Sequence, residues 1–383
     1  MVAMKRYDGE SLPGESPHIV VLGSCKVGNF VVTTPVLQGL KARFPRATLG
    51  FIGSEVTAAY EAAHPAIDWR LSWDDPTPGA GLSLQQQLAD RLSRHGPVAL
   101  AINLDGFNPV TCTLTPWLQP LYVAGGALVP NLRRKLAWGD EPEQRFLADP
   151  DWDSLDFKDR YRDSFNSNYI AELFCRLAYV ADFVDPTAIQ LPQEPPTFSV
   201  PELLIHCTTA RAAKIWPFRY WRAVIEDAVR HGLEVGLVGG PPSTQKEAYN
   251  AGDGEEWLLS TTPLRDLRGQ TNLLQLAGAC AQAKAVISVD AGPLHIAAAV
   301  GTPTLAVVGN DDQGIGASPI RLWLPRVKNL SRTCSLTTCT LCSDNRFRND
   351  DCLVDGHPCM SGVSVESVLR WLHQQILTPD PSA

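Results

Sequence analysis

Several residue groups in this chain have types and spacings that suit the binding of an anionic ligand. One lies in residues 287–310, Ile-Ser-Val-Asp-Ala-Gly-Pro-Leu-His-Ile followed by Ala-Ala-Ala-Val-Gly-Thr-Pro-Thr-Leu-Ala-Val-Val-Gly-Asn. Here an apolar strand breaks at Asp290, Ala291, Gly292 and Pro293, and a short helix carrying His295 follows. The start of such a helix offers free backbone N–H groups and partial positive charge to an anion. Asp290 then either directs a ligand or caps the helix, and His295 either contacts that ligand or packs.

A second group follows the strand Leu203–Cys207. Thr208, Thr209, Arg211 and Lys214 stand in a polar loop, and Gly239-Gly-Pro-Pro ends the next strand. Small residues let backbone N–H groups approach a phosphate, and the Lys214 ammonium neutralises its charge. A third group is Asp105, after the apolar strand Val98–Leu104, and the glycine-bearing loop Gly23…Gly28-Asn29 after His18–Leu22. The loop matches neither the dinucleotide fingerprint nor a P-loop. Asp105 reads as a functional group on the ligand rim or as a turn former or cap. Arg133, Arg134 and Lys135 suit an anionic acceptor or a solvated face. A fourth group is a C-x2-C-x9-C-x6-C array, Cys339, Cys342, Cys352 and Cys359, with Cys334 and His357 nearby. Four thiolates suit a structural Zn or Fe site, but leave no open position for catalysis.

The elements that must position these groups alternate. Strands at 18–22, 48–52, 69–73 and 98–104 are interleaved with helices at 31–44, 56–63 and 84–92, with Pro35 placed in the first turn of its helix. The second half repeats the alternation: strands at 203–207, 233–238, 286–289 and 304–308, helices at 220–231 and 273–283, and a strand or turn at 264–267. This predicts parallel sheets covered by helices, with the loops at the carboxyl ends of the strands facing ligand. Residues 74–81 read as a loop, 131–165 as an irregular excursion unsuited to a core, 169–180 as an apolar helix, and Pro-rich 185–201 as a linker.

A net charge of −8 over 383 residues, ten of them Cys, argues against a general nucleic-acid binder. Cys175, Cys207 and Cys280 sit in apolar contexts and read as core thiols. No run is long and apolar enough to span a bilayer, and the polar N-terminus reads as a frayed segment without a secretory signal. The expectation is a cytoplasmic protein.

Together, Gly28-Asn29…Thr34-Pro35-Val36-Leu37…Phe44-Pro45, Lys214-Ile-Trp-Pro with Gly239-Gly-Pro, and Ser288–Pro303 with Val308-Gly-Asn resemble glycosyltransferase family nine, the bacterial ADP-heptose heptosyltransferases. The resemblance implies a GT-B fold: an acceptor-side Rossmann-like domain over 1–184, a linker at 185–201, and a nucleotide-sugar-binding domain over 202–360 containing the Cys-rich segment 334–359. A helix in 361–383 would pack back on the first domain. It implies donor contacts from Asp290, Ala291, Gly292, Pro293, His295 and Lys214, with Thr208, Thr209 and Gly239 in the same loops and 263–267 flanking the base. It also implies inverting transfer of a heptose to an acceptor hydroxyl without a catalytic cofactor. That acceptor is a glycan, a protein or a small metabolite, and peripheral inner-membrane association is a further expectation. Where the family commonly has Gly-Asp, this chain has Gly28-Asn29. An amide is no useful base, so Asp105 becomes the expected base and Asn29 an orienting group. The alternatives are a non-catalytic sugar-nucleotide or glycan binder, or another GT-B enzyme such as a nucleotide-sugar epimerase. Some heptosyltransferases that modify autotransporters are similar in using a Cys-rich iron-binding finger, with a different cysteine spacing; the alternative for this array is reduced or paired thiols.

Overall fold

The computed structural model describes residues 4–74, 83–250, 252–310 and 318–377. The chain divides between Gln190 and Leu191 into two compact units. The first contains β1 (Lys5–Arg6), β2 (His18–Leu22), β3 (Thr48–Gly53), β4 (Trp69–Ser72), β5 (Val98–Asn103) and β6 (Tyr122–Gly125). They form one parallel sheet in the order β1-β6-β5-β2-β3-β4. The second contains β7 (Leu203–His206), β8 (Val235–Leu237), β9 (Arg265–Asp266), β10 (Ala285–Val289), β11 (Thr304–Val307) and β12 (Leu330–Thr333). These are also parallel, in the order β12-β11-β10-β7-β8-β9. This is the α/β class expected from the alternation of elements.

Strand order reverses once in each sheet, between β2 and β5 and between β7 and β10. Neighbouring chain crossovers leave on opposite faces there, and a crevice opens at the carboxyl ends. In register, Leu22 lies opposite Asn103 and Ser288 opposite His206. The Gly23–Gly28 segment and Asp105 therefore flank one reversal, and Thr208 and Asp290 flank the other. Central strands are apolar on both faces, as helices cover both sides; Ile19, Val20, Val21, Ile205 and Ile287 are fully buried. Trp216 and Trp221 fill the second core and meet edge-on at 5.1 Å.

Several local expectations need correction. The first helix is Val27–Arg43, so Gly28 and Asn29 stand in its opening turn and Pro35 lies in its interior. Proline removes the N–H that would serve the Val31 carbonyl. Thr34 Oγ1 donates to that carbonyl instead, at 2.8 Å. The N-terminal segment is not frayed where described: β1 pairs with β6, and Arg6 donates to the carbonyls of Ala137 and Leu136. Residues 131–165 contain core after all. Phe146, Phe157 and Phe165 are buried against one another. The spacing of these aromatics follows no helical or strand period, because Phe146 opens a short 3-10 turn, Phe157 a one-turn helix, and Phe165 lies beyond both. Helices Pro242–Ala248 and Gly254–Thr261 have no counterpart in the sequence reading. The C-terminal helix Val365–Leu372, placed on the first domain by the resemblance, buries Val368, Trp371 and Leu372 in the second unit's core. Those positions share one helix face. Of the loop expected at 74–81, only Asp74 lies within the described residues.

The helix Leu273–Gln282 lies against the chain that enters the second unit. Glu194 N–H donates to the Leu274 carbonyl at 3.0 Å, and a Cβ at Gly278 would run into the Glu194 carbonyl oxygen. Helix propensity alone favours Ala over Gly by about 1 kcal/mol. The structure gives the opposite sign: Gly278→Ala should lower stability by about 1–3 kcal/mol in urea unfolding. A stabilised variant would show that this contact is not tight.

Candidate functional site

Parallel strands β7 and β10 end side by side, and the loops after them meet. Asp290 follows β10, and the helix Gly292–Ala299 begins two residues later. Asp290 does not cap this helix: the N-cap is Ala291, without a side-chain cap bond, and Pro293 removes one N–H from the first turn. Its carboxylate pairs with Lys214 instead. The Lys214 ammonium lies 3.0 Å from Asp290 Oδ2 and donates to the Asp290 carbonyl at 2.9 Å. His295 Nε2 stands 3.8 Å from Asp290 Oδ1, beyond close hydrogen-bond distance. Burial works to raise the Asp290 pKa, but Lys214 and His295 outweigh it and hold the carboxyl well below the usual carboxylate range. His295 is buried, and its Nδ1 has no hydrogen-bond partner.

The loop between β7 and Lys214 is tied down on several sides. Thr209 Oγ1 donates to the Asp290 carbonyl at 3.3 Å, and the Asn250 amide donates to the Ala210 carbonyl at 3.0 Å. Thr208 Oγ1 accepts from Gln245 Nε2 at 2.9 Å. Gly239 stands where the Gln245 side chain passes, and any Cβ there would strike it. Gln245 is thus a positioning residue that the sequence reading missed; its one trace was the glycine that makes room for it. Also missed is the buried Arg268, which pairs with Glu255 (2.9 Å), Asp266 (2.8 Å) and Glu256 (2.9 Å). Gly269, next in the chain, donates to the Gly239 carbonyl at 3.0 Å.

The Cys-rich segment braces the other side of the loop. The Ala213 N–H donates to the Asp350 carbonyl at 2.8 Å, and the Ala213 carbonyl meets His357 Nε2 at 2.6 Å. Arg211 Nε donates to the Asn349 carbonyl at 2.8 Å, and its guanidinium lies over the Phe347 ring. Among the described residues, the four thiols of the array do not form a group of three or more ligand atoms within 4.8 Å of one another. Cys342 Sγ accepts from the Asn349 amide at 3.2 Å, and Cys342 and Cys359 belong to the apolar core. Burial pushes the Cys352 thiol up; a backbone hydrogen bond from Val354 opposes this, and Cys342 and Cys339 add to the rise. Cys339, Cys342 and Cys352 form no disulfide, and the four sulfurs are not gathered into a closed four-sulfur site in this arrangement. Cys175, Cys207 and Cys280 are fully buried, and burial pushes Cys280 up to about 12.

In the first unit, the helix Val27–Arg43 starts beside β2, with no side-chain cap at Lys26 and no acidic residue in its first turn. Gly28 and Asn29 stand in that turn. Asp105 follows β5; its N–H donates to Asn103 Oδ1 at 3.0 Å, and its Oδ2 accepts from the Asn108 amide at 3.0 Å. Two residues on, Phe107 is 61% exposed and stacks on Trp152 at 6.0 Å and 8°. This flat aromatic surface beside a carboxylate also escaped the sequence reading. Arg133 and Arg134 are exposed in a turn closed by the Leu128–Lys135 bridge.

Residues 179–340 match the family described as glycosyltransferase family 9 (heptosyltransferase). The chain carries a glycosyltransferase family 9 domain. Lipopolysaccharide heptosyltransferase 1 of Escherichia coli K12 is 32% identical over 113 residues, 30% of this chain and 33% of that protein. The match thus spans about a third of the length of that curated relative. Over the whole fold, the family 9 glycosyltransferase of Veillonella parvula superposes with a TM-score of 0.70 at 16% identity, covering 96% of this chain and 99% of that one. The E. coli heptosyltransferase WaaC, solved with ADP, gives 0.58 at 17% identity, covering 94% and 99%. The two parallel sheets are those of the GT-B heptosyltransferase structures.

Removing Lys214 should expose the dependence of Asp290 on it. Lys214→Met leaves a largely buried carboxylate unpaired and should cost about 2–4 kcal/mol at neutral pH. Because the folded pKa of Asp290 is depressed, the pair's contribution is present above the unfolded carboxylate value of about 3.9 and is lost as pH falls toward the folded value. Protonation of Asp290 in the variant should therefore bring the two stabilities together in acid. Urea unfolding from pH 7 to pH 3 measures this, and a gap that stays constant would count against the pair.

Proposed function

We propose that this protein is a glycosyltransferase that moves a heptose, or a related sugar, from a nucleotide-diphospho-sugar to an acceptor hydroxyl with inversion. ADP-heptose is the donor that best suits the family. The observation that carries this reading is the Lys214–Asp290 pair at the reversal between β7 and β10, inside the stretch that matches the family. An ammonium has three N–H donors. Lys214 directs two contacts at Asp290, to Oδ2 and to the carbonyl oxygen, and keeps the third for a diphosphate oxygen. Asp290 then fixes the direction of the cation. The start of the helix at Gly292 and the hydroxyl of Thr208 supply further donors to the same anion.

In the transfer step, the acceptor oxygen attacks the anomeric carbon as the bond to the diphosphate breaks, and the nucleoside diphosphate leaves with an added negative charge. Lys214 offsets that charge where it develops. Asp105 takes the proton from the acceptor hydroxyl. Asn108 holds Oδ2 and leaves Oδ1 for that proton. Asn29, in the first turn of its helix, orients the acceptor through its amide, and Arg133 and Arg134 attract an anionic group on it. The acceptor is a hydroxyl of a glycan, a protein or a small metabolite. No helix among the described residues is long and apolar enough to cross a membrane.

Calorimetric titration with ADP, GDP and UDP, and then with the matching sugar nucleotides, tests the donor site. ADP should bind most tightly, and Lys214→Ala should weaken it by about tenfold or more, as expected for losing a charge-assisted hydrogen bond. Mass analysis of the product tests the base: Asp105→Asn should abolish transfer and leave ADP affinity unchanged. Full turnover in that variant would remove Asp105 from the mechanism. Tight donor binding with neither transfer nor hydrolysis in the unmodified protein would favour the non-catalytic binder suggested by Asn29.

A further inference from the structure

The helix Phe218–Arg230 runs from the carboxyl end of β7 back toward the start of β8. Its last turn therefore lies at the edge of the sheet opposite Lys214 and Asp290. Asp227 stands in that turn and His231 just past it, four residues on and so on the same face. A third side chain, His373, comes in from the end of the C-terminal helix. Asp227 Oδ2 lies 2.6 Å from His373 Nε2 and 3.5 Å from His231 Nδ1, and the two imidazole rings are 4.8 Å apart. Asp227 Oδ1 is occupied separately by Arg230, at 2.7 Å. Among the described residues, these three form the one group whose ligand atoms all lie within 4.8 Å of one another.

We propose that Asp227, His231 and His373 bind a divalent transition-metal ion, with Zn2+ as the best match. Two imidazoles and one carboxylate are a borderline donor set, suited to zinc, cobalt, nickel or copper rather than to magnesium or calcium. Metal–ligand bonds of about 2.0–2.1 Å in a tetrahedron place donor atoms about 3.3 Å apart. The Asp227–His231 separation already matches. The Asp227–His373 separation must open by some tenths of an ångström, and both histidines are exposed enough to turn. Oδ2 then binds the metal through one oxygen while Arg230 keeps Oδ1. The site also sits at the negative end of a helix dipole, which favours a cation there; His231 Nδ1 donates to the Asp227 carbonyl at 2.9 Å in this arrangement, so metal binding releases that proton and turns the ring. Water completes the fourth position. Far from the Lys214–Asp290 edge, the ion is structural: it fastens the C-terminal helix to Phe218–Arg230, where Trp371 and Leu372 already pack.

The test uses the full chain stripped with EDTA and titrated with Co2+ and Zn2+. One equivalent of Co2+ should give a visible absorption band of nitrogen–oxygen coordination, and Zn2+ should displace it and raise the melting temperature. His231→Ala and His373→Gln should each weaken binding by about tenfold or more. The glutamine can still donate to Asp227, so its loss of metal cannot be blamed on the loss of that hydrogen bond. A Cys339→Ser/Cys342→Ser variant should bind as the unmodified protein does. Absence of uptake in the unmodified chain, or uptake kept by both histidine variants, overturns the proposal; uptake lost only in the cysteine variant does so too.

Discussion

A carboxylate withdrawn from water needs a cation at contact distance, because desolvation of an unpaired charge costs several kcal/mol. Asp290 has Lys214, and much of the second unit is arranged around keeping the two together. The pair spans the strand-order reversal, so β7 and β10 must be neighbours before it can form. Thr209 then binds the backbone of Asp290, Gln245 holds Thr208, and Gly239 leaves Gln245 its path. The result is an ammonium whose position is set in advance. Such preorganisation is what makes a cation effective against charge that appears only in a transition state.

The two sheets share the order of five strands but present different chemistry at their reversals. In the second, a cation follows the first central strand and a carboxylate the next. In the first, an uncapped helix N-terminus follows β2 and a carboxylate follows β5. A helix of 17 residues adds partial positive charge beside β2 without placing an ionised group there. Asn29 fits that setting as a neutral polar group, and Phe107 with Trp152 supplies a flat apolar face that a sugar ring can lie on.

Much of this was legible in the chain. The run from Ile287 to Val308 shows a buried strand, a break and a helix because apolar length, Gly292 and Pro303 act locally. The same holds for β2 and β5, and for the polar loop holding Lys214. What stayed hidden depends on distant partners. Pro35 looked like a helix start, and only the Thr34 hydroxyl, which takes over the orphaned Val31 carbonyl, lets it sit inside. Phe146, Phe157 and Phe165 obey no period because separate short turns bring them together. Gln245, in a helix with no apolar stripe, and the Asp227–His231–His373 group, spread over 146 positions, have no local signature. The Cys array is the opposite case: its spacing is suggestive, and in the fold Cys342 and Cys359 also take part in core packing, with Cys342 accepting from Asn349.

The bracing of Ala213 has a consequence for biosynthesis. Both backbone groups of this residue, next to Lys214, are bound by residues of the Cys-rich segment, one of them 144 positions later. During synthesis, β7 and its loop leave the ribosome long before Asp350 and His357 exist. The sheet and its helices can condense from contacts closer in sequence, but the loop bearing the cation reaches its final shape only when that later segment docks. Completion of the Lys214–Asp290 arrangement is therefore tied to one of the last folding events of the domain, so a nascent chain that has already formed most of its sheet still holds Lys214 on an unbraced loop.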